Sequence, residues 1–318
     1  MDPDFGELKL VAVRDVWRHE AHHFTRWLGE HIEHLGRAIG MDLEVVKVES
    51  GVGAFSLDIL AKDLGSGRPV VIENQYGATN HDHLGKLMTY AAGHDAIAAI
   101  WISESFRDEH QAALEWLNRH TDLDTHFFAV TVEVFQIDNS RRAFEFRPVI
   151  LPNEWQQHTR AESAGETTPR AEAYRTFFQD LLDELREKHQ FTNARLAQPQ
   201  SWYSFSSGVS GVTYGASFAR GARARIDIYL NLGDSTENKA LFDRLLTHKS
   251  QIEAAFGQPL EWERLDEREA SRVAVYRAGS IEDDNKVLAE VRGWMVDMLL
   301  RCRDVLGRFV REARESRG

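Results

Sequence analysis

The sequence predicts two domains, an α/β domain followed by a smaller α+β domain. The chain has 318 residues, which at about 150 residues per domain corresponds to about two domains. Strand-like and helix-like patterns alternate through residues 1–155, as in a sheet whose strands are connected by helices. Residues 156–170 are polar and rich in small side chains, so we expect a linker there and a second domain over residues 171–318.

The spacing of apolar residues predicts the element order αβββαβαββ in the first domain. Apolar residues three and four apart indicate helices, whereas alternating residues or short continuous apolar runs indicate strands. The predicted helices span residues 15–38, 80–92 and 107–119. The predicted strands span residues 43–48, 55–61, 69–75, 97–102, 127–137 and 143–150.

The same patterns predict three helices and five strands in the second domain. The predicted helices span residues 172–188, 237–256 and 284–315. The predicted strands span residues 202–205, 212–218 and 225–230, with two short ones near Leu260 and Val273. In the last helix an apolar stripe could be a dimer seam, which predicts a homodimer, although such stripes more often pack on their own domain. The stripe comprises Val287, Val291, Trp294, Met298, Cys302, Val305 and Phe309.

Charge is distributed unevenly along the chain. The net charge is −12, and residues 1–160 hold 25 acidic and 15 basic side chains, whereas the remainder is nearly neutral. A strongly acidic first half argues against a protein that coats nucleic acid by bulk charge. An acidic metal centre with a local basic groove stays compatible with this distribution.

Cysteine content and apolar runs indicate the compartment. The single cysteine, Cys302, excludes an internal disulfide and a zinc site built from several cysteines. The longest apolar runs, such as residues 96–102, are far shorter than the ~20 residues of a membrane helix. The first five residues lack the basic and apolar regions of a secretory signal. We therefore expect a cytoplasmic protein with no membrane partner.

The second and third predicted strands each carry an acidic residue within an apolar run. Asp58 lies in Phe55-Ser-Leu-Asp-Ile, and Glu73 lies in Val70-Val-Ile-Glu-Asn-Gln. Strand side chains alternate between faces, so two adjacent antiparallel strands can bring Asp58 and Glu73 together above the sheet. Two carboxylates beside a carbonyl oxygen form a site suited to Mg²⁺ or Mn²⁺. Such a cation can activate water against a phosphodiester; the alternative is that both acids are merely solvated.

These residues resemble the core motif of the PD-(D/E)XK nuclease family. Asp58 matches the aspartate of that motif, and Glu73-Asn74-Gln75 matches its Glu-x-Lys, with Gln75 in place of the usual lysine. The sequence motifs from Trp17-Arg-His-Glu-Ala to His81-Asp-His-Leu-Gly-Lys are similar to those of a bacterial nuclease-like group. The second half is similar to a domain of unknown function that often follows it. The resemblance implies a restriction-endonuclease-like mixed sheet core (αβββαβ) and Mg²⁺-dependent cleavage in which Asp58 and Glu73 hold the metal.

The helix after the third strand offers a substitute for the missing lysine. In the resemblance Gln75 positions water but carries no charge. At about 100° per residue, His83, Lys86 and Tyr90 lie on one face of this helix, so Lys86 can supply the charge. The resemblance implies that Lys86 and Tyr90 support the centre, with His83 nearby. The alternative is that Lys86 is an ordinary surface lysine.

Two histidine patterns have weaker interpretations. His19-Glu20-Ala-His-His23 fits the zinc-protease pattern His-Glu-x-x-His, but no third ligand follows it. The resemblance instead implies that Glu20 assists metal binding, whereas the simpler hypothesis is a helix-start glutamate favoured by the helix dipole. His81-Asp82-His83 could be a metal cluster, but we favour a helix cap at Asn80 or Asp82.

In the second domain, Arg220, Arg223 and Arg225 form a compact basic stretch close to aromatic residues. Basic and aromatic side chains together favour nucleic-acid binding, and the alternative is a solvated hairpin rim. The expected function is therefore metal-dependent hydrolysis of phosphodiester bonds, with DNA as the expected substrate, in defence against foreign DNA or in repair. The rival hypotheses are a catalytically decayed nucleic-acid-binding module and a protein-interaction module.

Overall fold

The computed structural model describes residues 5–52, 55–121, 125–152 and 168–315. The chain divides into two compact units. The first comprises Met1–Asp63 and Gly67–Glu162, and the second comprises Leu64–Ser66 and Ser163–Gly318. Most of the predicted linker, residues 156–167, lies outside the described residues. Its last three residues are described: Thr168 caps a helix that begins at Pro169.

The first unit is a mixed α/β structure. Its strands are β1 (Leu8–Val11), β2 (Leu43–Val52), β3 (Phe55–Asp63), β4 (Pro69–Ala78), β5 (Ala98–Ser105), β6 (His126–Ile137) and β7 (Ala143–Ile150). Its α-helices are α1 (Arg26–Glu30), α2 (Ile32–Ile39), α3 (His81–His94) and α4 (Asp108–His120). The predicted strands and the two later helices are all present, and β1 is an addition that the sequence patterns did not reveal.

The seven strands form one mixed sheet. The strand order is β1-β6-β5-β4-β3-β2, and β7 pairs with β6. Strands β2, β3 and β4 form an antiparallel meander, whereas β4, β5 and β6 are parallel and are connected by the helices α3 and α4. Because the parallel strands β4 and β5 end at the same sheet edge, the residues after both strands meet there.

The predicted first helix, residues 15–38, is wrong as one continuous element. The structure has a 3-10 turn at Val13–Asp15, a π-helical turn at Glu20–Thr25, and then the short helices α1 and α2. His31 separates these two helices with φ −132° and ψ 35°, outside helical geometry. Each of these short segments buries its apolar side, and Phe24, Leu28 and Leu35 are almost fully buried. The apolar residues therefore keep a helical spacing along the sequence although the helix itself is broken.

A close-packed core lies between the sheet and the helices α3 and α4. Leu57 and Val71 of the sheet pack with Leu87 and Tyr90 of α3 and with Trp101 of β5, and all five are fully buried. This packing fixes the helix α3 against the strands β3 and β4. The side chains of α3 that face the ends of these strands are therefore held in place.

The second unit is an antiparallel sheet with helices on one face. Its strands are β8 (Trp202–Val209), β9 (Val212–Ala219), β10 (Arg223–Leu230), β11 (Glu261–Glu263) and β12 (Ser271–Ala278), in the order β11-β12-β10-β9-β8. Its helices are Pro169–His189, Ser235–Thr247, Lys249–Phe256, Asn285–Arg301 and Gly307–Glu315, with a π-helical turn at Cys302–Leu306. The predicted helices 237–256 and 284–315 are each interrupted, the first at His248 and the second by this π-helical turn.

The apolar stripe of the last predicted helix packs within its own unit. Val291, Met298, Cys302 and Phe309 are buried in the core that the helices share with the sheet. Val287, Trp294 and Val305 are partly buried against that core. The stripe is thus used inside the unit, and the homodimer stays a prediction. No helix among the described residues is long and apolar enough to cross a membrane.

Candidate active site

The strands β3 and β4 separate at the position where the two acidic residues lie. Their pairing runs from Lys62 opposite Pro69 to Ile59 opposite Ile72, and Asp58 and Glu73 are the next residues along each strand. Instead of a backbone ladder bond, the Asp58 Oδ2 atom accepts a hydrogen bond of 2.8 Å from the Asn74 N–H group. The predicted neighbourhood of Asp58 and Glu73 is therefore present, and it lies at the point where the sheet opens.

Glu73 is buried and incompletely partnered. Its side chain is 2% exposed, and its Oε1 atom lies 3.7 Å from the Lys86 Nζ atom. The Oε2 atom is buried and has no hydrogen-bond partner among the described residues. A buried carboxylate oxygen normally has a partner, so this one marks a place where a ligand, a water or a cation is expected.

Burial raises the pKa of both carboxyls. Desolvation is the largest cause for Asp58 and for Glu73, and each also feels the charge of neighbouring acids, with the Lys86 ammonium acting in the opposite direction. Two acids that share one partly buried place disfavour each other's ionisation. A nearby positive charge would relieve this repulsion, and perturbed carboxyls of this kind are typical of functional sites.

Lys86 is placed beside the carboxylates by the helix α3. Leu87 and Tyr90 anchor this helix in the core, and Lys86 projects from it towards Glu73. Its side chain is 39% exposed, so its ammonium lies between the buried acid and solvent. Lys86 thus lies where a substitute for the missing lysine was expected. Its catalytic role stays a prediction.

Gln75 is engaged elsewhere. Its Nε2 atom donates a 2.8 Å hydrogen bond to the Ala78 carbonyl oxygen, and its Oε1 atom accepts a 3.4 Å bond from the Asn80 N–H group. Gln75 is 6% exposed. The side-chain amide of Gln75 therefore stabilises the turn between β4 and α3 and is not free to bind at the two carboxylates.

Glu20 is a third acid close to the two carboxylates, and its charge acts on both. Its carboxylate accepts a hydrogen bond from the Tyr76 N–H group of β4. Burial raises the pKa of Glu20, while this hydrogen bond and the charges of Lys86 and Arg14 lower it. Glu20 is therefore an electrostatic neighbour of the pair, tied to the backbone of β4.

The remaining predicted residues on α3 divide into two kinds. Tyr90 is fully buried, and its hydroxyl donates a 2.8 Å hydrogen bond to the Ser56 carbonyl oxygen of β3. Tyr90 thus ties α3 to the strand that carries Asp58. His83 donates from Nδ1 to the cap residue Asn80 at 2.9 Å, and burial lowers the pKa of its imidazole. Asn80 is the N-cap, as expected.

The oxygen donors of Asp58 and Glu73 decide which metal the site suits. No group of three or more His, Cys, Asp or Glu side chains in the described part of the chain is arranged to hold a metal. Catalytic zinc takes three protein ligands, whereas Mg²⁺ is commonly held by one or two carboxylates and completes its shell with water and substrate oxygens. Asp58 and Glu73, with the unpartnered Oε2 atom, fit Mg²⁺ or Mn²⁺ and do not fit zinc.

The two histidine patterns form no metal cluster among the described residues. In the zinc-protease pattern, Glu20 binds the Tyr76 backbone, and the rings of His19 and His23 lie with their centroids 5.3 Å apart. In the second pattern, the His81 ring faces α4, where its Nδ1 atom lies 2.8 Å from Nε2 of His110. The structure therefore favours the interpretations without zinc.

Comparisons with known proteins give one family match and two distant structures. Residues 173–307 match the model of a family described as a domain of unknown function (DUF4268). The comparison with curated proteins finds no match. A crystal structure of a repair endonuclease from Pyrococcus abyssi is 12% identical with a TM-score of 0.27, over 33% of this chain and 43% of that chain. The structure of Pyrococcus furiosus SfsA in complex with Ca²⁺ is 18% identical with a TM-score of 0.25, over 39% of this chain and 63% of that chain.

The matched family model does not extend to the candidate site. The matched residues 173–307 lie within the second unit, whereas Asp58, Glu73 and Lys86 belong to the first. The aligned part spans less than two thirds of either solved structure. The chemistry of the site therefore depends on its own geometry.

The predicted basic cluster of the second unit is partly neutralised. Arg225 lies 2.8 Å from the Asp227 carboxylate. Arg223 stacks over the Tyr276 ring at 4.2 Å and lies 4.0 Å from Glu261. Arg220 is exposed and forms no ion pair within the described ranges. Nucleic-acid binding by these residues stays a prediction.

Sequence patterns missed a buried polar chain next to the site. His110 on α4 is 2% exposed; its Nδ1 atom lies 2.7 Å from the hydroxyl of Thr79, and its Nε2 atom contacts His81. The Thr79 hydroxyl oxygen also accepts a bond from the Arg107 N–H group. These hydrogen bonds fix the segment that leads into α3. The single available signal was a histidine on the apolar face of a predicted helix.

Proposed function

We propose that this protein hydrolyses phosphodiester bonds with a divalent cation, and that its substrate is DNA. The observation that carries the proposal is the position of Asp58 and Glu73 where β3 and β4 separate, with a buried Glu73 oxygen that accepts no hydrogen bond from any described residue. Lys86, 3.7 Å from Glu73, adds a positive charge at the same place. Paired carboxylates beside one cation suit the handling of a phosphate.

Each residue has a role in this proposal. Asp58 and Glu73 hold Mg²⁺ or Mn²⁺, which when bound would activate water and stabilise the charge that develops on the phosphate. Lys86 attracts the phosphate and supplies positive charge beside it. Tyr90 holds α3 against β3, so that Lys86 stays aligned with the carboxylates. Gln75 acts through the turn between β4 and α3 rather than on water.

The finer parts of the proposal rest on the sequence resemblance. We propose that the first unit has a restriction-endonuclease-like core of the PD-(D/E)XK type. The residue order supports it, since Asp58 lies on β3, Glu73 lies on the next strand, and the helix α3 follows directly. The second unit would select the substrate, and the setting would be defence against foreign DNA or repair, in the cytoplasm.

A specific observation favours a second candidate, a nucleic-acid-binding module without catalysis. The lysine of the family motif is replaced by Gln75, and the amide of Gln75 is occupied by backbone groups. In that case binding to DNA would survive while cleavage would be absent. Lys86 beside Glu73 counts against this candidate because it restores a charge at the centre.

Nicking of supercoiled plasmid in Mg²⁺ or Mn²⁺ tests the proposal. Asp58→Asn and Glu73→Gln should each lower the rate by about a hundredfold or more, as expected when a group that stabilises the transition state is removed. The matched control is Glu115→Gln, an exposed glutamate on α4, which should cleave at the wild-type rate. Full activity in either site variant would overturn the assignment of the carboxylates.

Two further variants separate the roles of Lys86 and Gln75. Lys86→Ala should lower the single-turnover rate by about tenfold or more, because the charge next to Glu73 is lost. Gln75→Ala should act mainly on stability, by about 1 kcal/mol, because its two hydrogen bonds are to backbone groups. A Lys86→Ala variant as fast as wild type would remove Lys86 from the mechanism.

A further inference from the structure

Arg14 lies near Glu20, the third acid of the candidate site, and its charge acts on that carboxyl. It belongs to the 3-10 turn Val13–Asp15, which is anchored by the buried Val13 side chain and by a 3.0 Å hydrogen bond from Arg142 to the Asp15 carbonyl oxygen. Its guanidinium carbon lies 5.4 Å from the centroid of the Tyr76 ring. The side chain is exposed, so its position is set by stacking and not by enclosure.

The Tyr76 side chain, on which Arg14 stacks, is held next to the site by hydrogen bonds. The Tyr76 hydroxyl donates a 2.7 Å hydrogen bond to the Trp17 carbonyl oxygen, and the Tyr76 N–H group donates to Glu20. The charge of Arg14 reaches Glu20, whose pKa it lowers. The charge of Lys86 also acts on Glu20, Asp58 and Glu73. Two positive charges therefore act on the acidic group, that of Arg14 on Glu20 and that of Lys86 on all three acids.

The guanidinium of Arg14 has donors to spare. Within the described residues, no carboxylate lies within ion-pair distance of it, whereas Arg147 is paired with Glu133 at 2.9 Å and Arg68 with Asp95 at 3.8 Å. Stacking on an aromatic face leaves the five N–H groups at the edge of the guanidinium free for other partners. Planar, bidentate recognition of this kind suits a phosphate.

An arginine without an ion pair is a candidate anion-binding group because the surrounding unit is strongly acidic. Residues 1–160 carry ten more acidic than basic side chains, so a polyanion is repelled by most of this unit. Around the site, Glu20, Asp58 and Glu73 face Arg14 and Lys86. One divalent cation would turn this group from net negative to net positive, and a phosphodiester would then be attracted there and not elsewhere on the unit.

We infer that Arg14 binds a backbone phosphate of the nucleic-acid substrate on the Glu20 side of the site. This inference deepens the proposed function and rests on it. Arg14 is assigned to binding and not to the chemical step. Its loss should therefore raise KM and leave kcat nearly unchanged, whereas loss of Lys86 should lower kcat.

The experiment compares Arg14→Gln, Arg14→Lys and the control Arg119→Gln in the full chain. Arg119 is exposed at the end of α4, the helix that begins beside the site and runs to the opposite end of the parallel strands. Steady-state cleavage of a labelled DNA duplex is measured in Mg²⁺. Binding of the same duplex is measured in Ca²⁺ at several salt concentrations, and thermal melting checks that each variant folds.

Arg14→Gln should raise KM and the dissociation constant about tenfold, as for loss of one charge-assisted hydrogen bond to phosphate. It should also lower the slope of log affinity against log salt by about 0.9. Arg14→Lys should restore the slope and only part of the affinity, because lysine keeps the charge but not the planar fork. Arg119→Gln should match wild type in all three measurements.

The outcomes separate this inference from the function on which it rests. If wild type cleaves and Arg14→Gln keeps the wild-type KM and salt slope, the role of Arg14 is refuted and the nuclease proposal stands. If wild type neither cleaves nor binds the duplex, both fall together. If wild type binds without cleaving and Arg14→Gln weakens that binding, the inference holds for the binding module instead.

Discussion

Two buried carboxylates, Glu73 in the first unit and Asp227 in the second, are held in different ways. One oxygen of Asp227 lies 2.8 Å from the Arg225 Nε atom and 3.5 Å from the Arg272 Nε atom. Glu73 has one ammonium at 3.7 Å from one oxygen, and its other oxygen has no described partner. Burial raises the pKa of both carboxyls, but for Asp227 two guanidiniums act against it.

The surroundings of Asp227 form a connected network. Arg272 continues to Glu263 at 3.2 Å, and the Tyr276 hydroxyl donates a 2.5 Å hydrogen bond to the same glutamate. The sheet leaves room for the carboxylate at Gly215, where a Cβ atom would lie 2.4 Å from the Asp227 Oδ1 atom. The comparison teaches that burial alone does not indicate function. The Nε atoms of Arg225 and Arg272 also have no hydrogen-bond partner among the described residues, although both lie beside the Asp227 carboxylate. What distinguishes Glu73 is that its unmet atom is an acid oxygen with a second acid beside it, and this combination indicates a ligand site.

The largest effect that tests this comparison is on stability in the second unit. Asp227→Ala should lower the free energy of unfolding by about 3 kcal/mol, because the partly buried Arg225 loses its carboxylate and Arg272 keeps only Glu263. Urea denaturation measures it. The matched control Asp297→Ala, which removes an exposed partner of Arg301, should cost less than about 1 kcal/mol. Equal losses in both variants would mean that the Asp227 network does not stabilise the fold.

A smaller effect is expected in the first unit when a divalent cation is added. Mn²⁺ at a hundred times its dissociation constant should stabilise the folded protein by about 2.7 kcal/mol, because it binds the native state alone. Glu73→Gln should abolish most of this gain, whereas Asp297→Ala should keep it. Thermal melting with and without Mn²⁺ measures both. The same gain in Glu73→Gln as in wild type would show that the cation binds elsewhere.

The sequence predicts this site well where local patterns decide the geometry. Asp58 and Glu73 meet because strand alternation and a short turn determine which residues of β3 and β4 face each other. Lys86 and Tyr90 share a helix face by spacing alone. All four positions depend on contacts within a short stretch of chain, so sequence alone is sufficient to place them.

Long-range hydrogen bonds explain what the sequence did not reveal. The amide of Gln75 binds the turn before α3, and the polar chain from Thr79 to His110 joins two helices and a loop. The strand β1 exists because it pairs with β6, more than a hundred residues away. The broken first helix likewise involves a long-range contact, because the Glu20 carboxylate accepts a hydrogen bond from the Tyr76 N–H group of β4. None of these features has a periodic signature.

A third prediction concerns the cost of keeping Glu73 unpaired. In metal-free protein at pH 9, above the pKa of about 8 to which burial raises the Glu73 carboxyl, Glu73→Gln should raise the free energy of unfolding by about 1–2 kcal/mol, because a buried charge with an unmet oxygen is replaced by a neutral amide. The equivalent change in the second unit, Asp227→Asn, should lower it. Urea denaturation of both variants in the presence of a chelator decides. A loss of stability in Glu73→Gln would place Glu73 in the same structural class as Asp227.

The smallest predicted effect concerns which cations of the second unit remain free for nucleic acid. Arg225 is held by Asp227, and Arg223 by the Tyr276 ring and Glu261, whereas Arg220 is exposed and forms no ion pair in the described part of the chain. Arg220→Gln should therefore lower the log–log salt slope of DNA binding by about 0.9, and Arg223→Gln should leave it nearly unchanged. The expected loss of affinity for Arg220→Gln is about threefold, as for one exposed charge.

Titrations at several salt concentrations, with Ca²⁺ present to prevent cleavage, measure both slopes on the same duplex. Equal reductions for Arg220 and Arg223 would mean that the contacts with Tyr276 and Glu261 yield to the phosphates, so that the arginines act as one basic cluster. An unchanged slope in both variants would mean that these arginines only solvate a hairpin. DNA affinity would then depend on the first unit, where Arg14 acts on Glu20 and Lys86 lies beside Glu73.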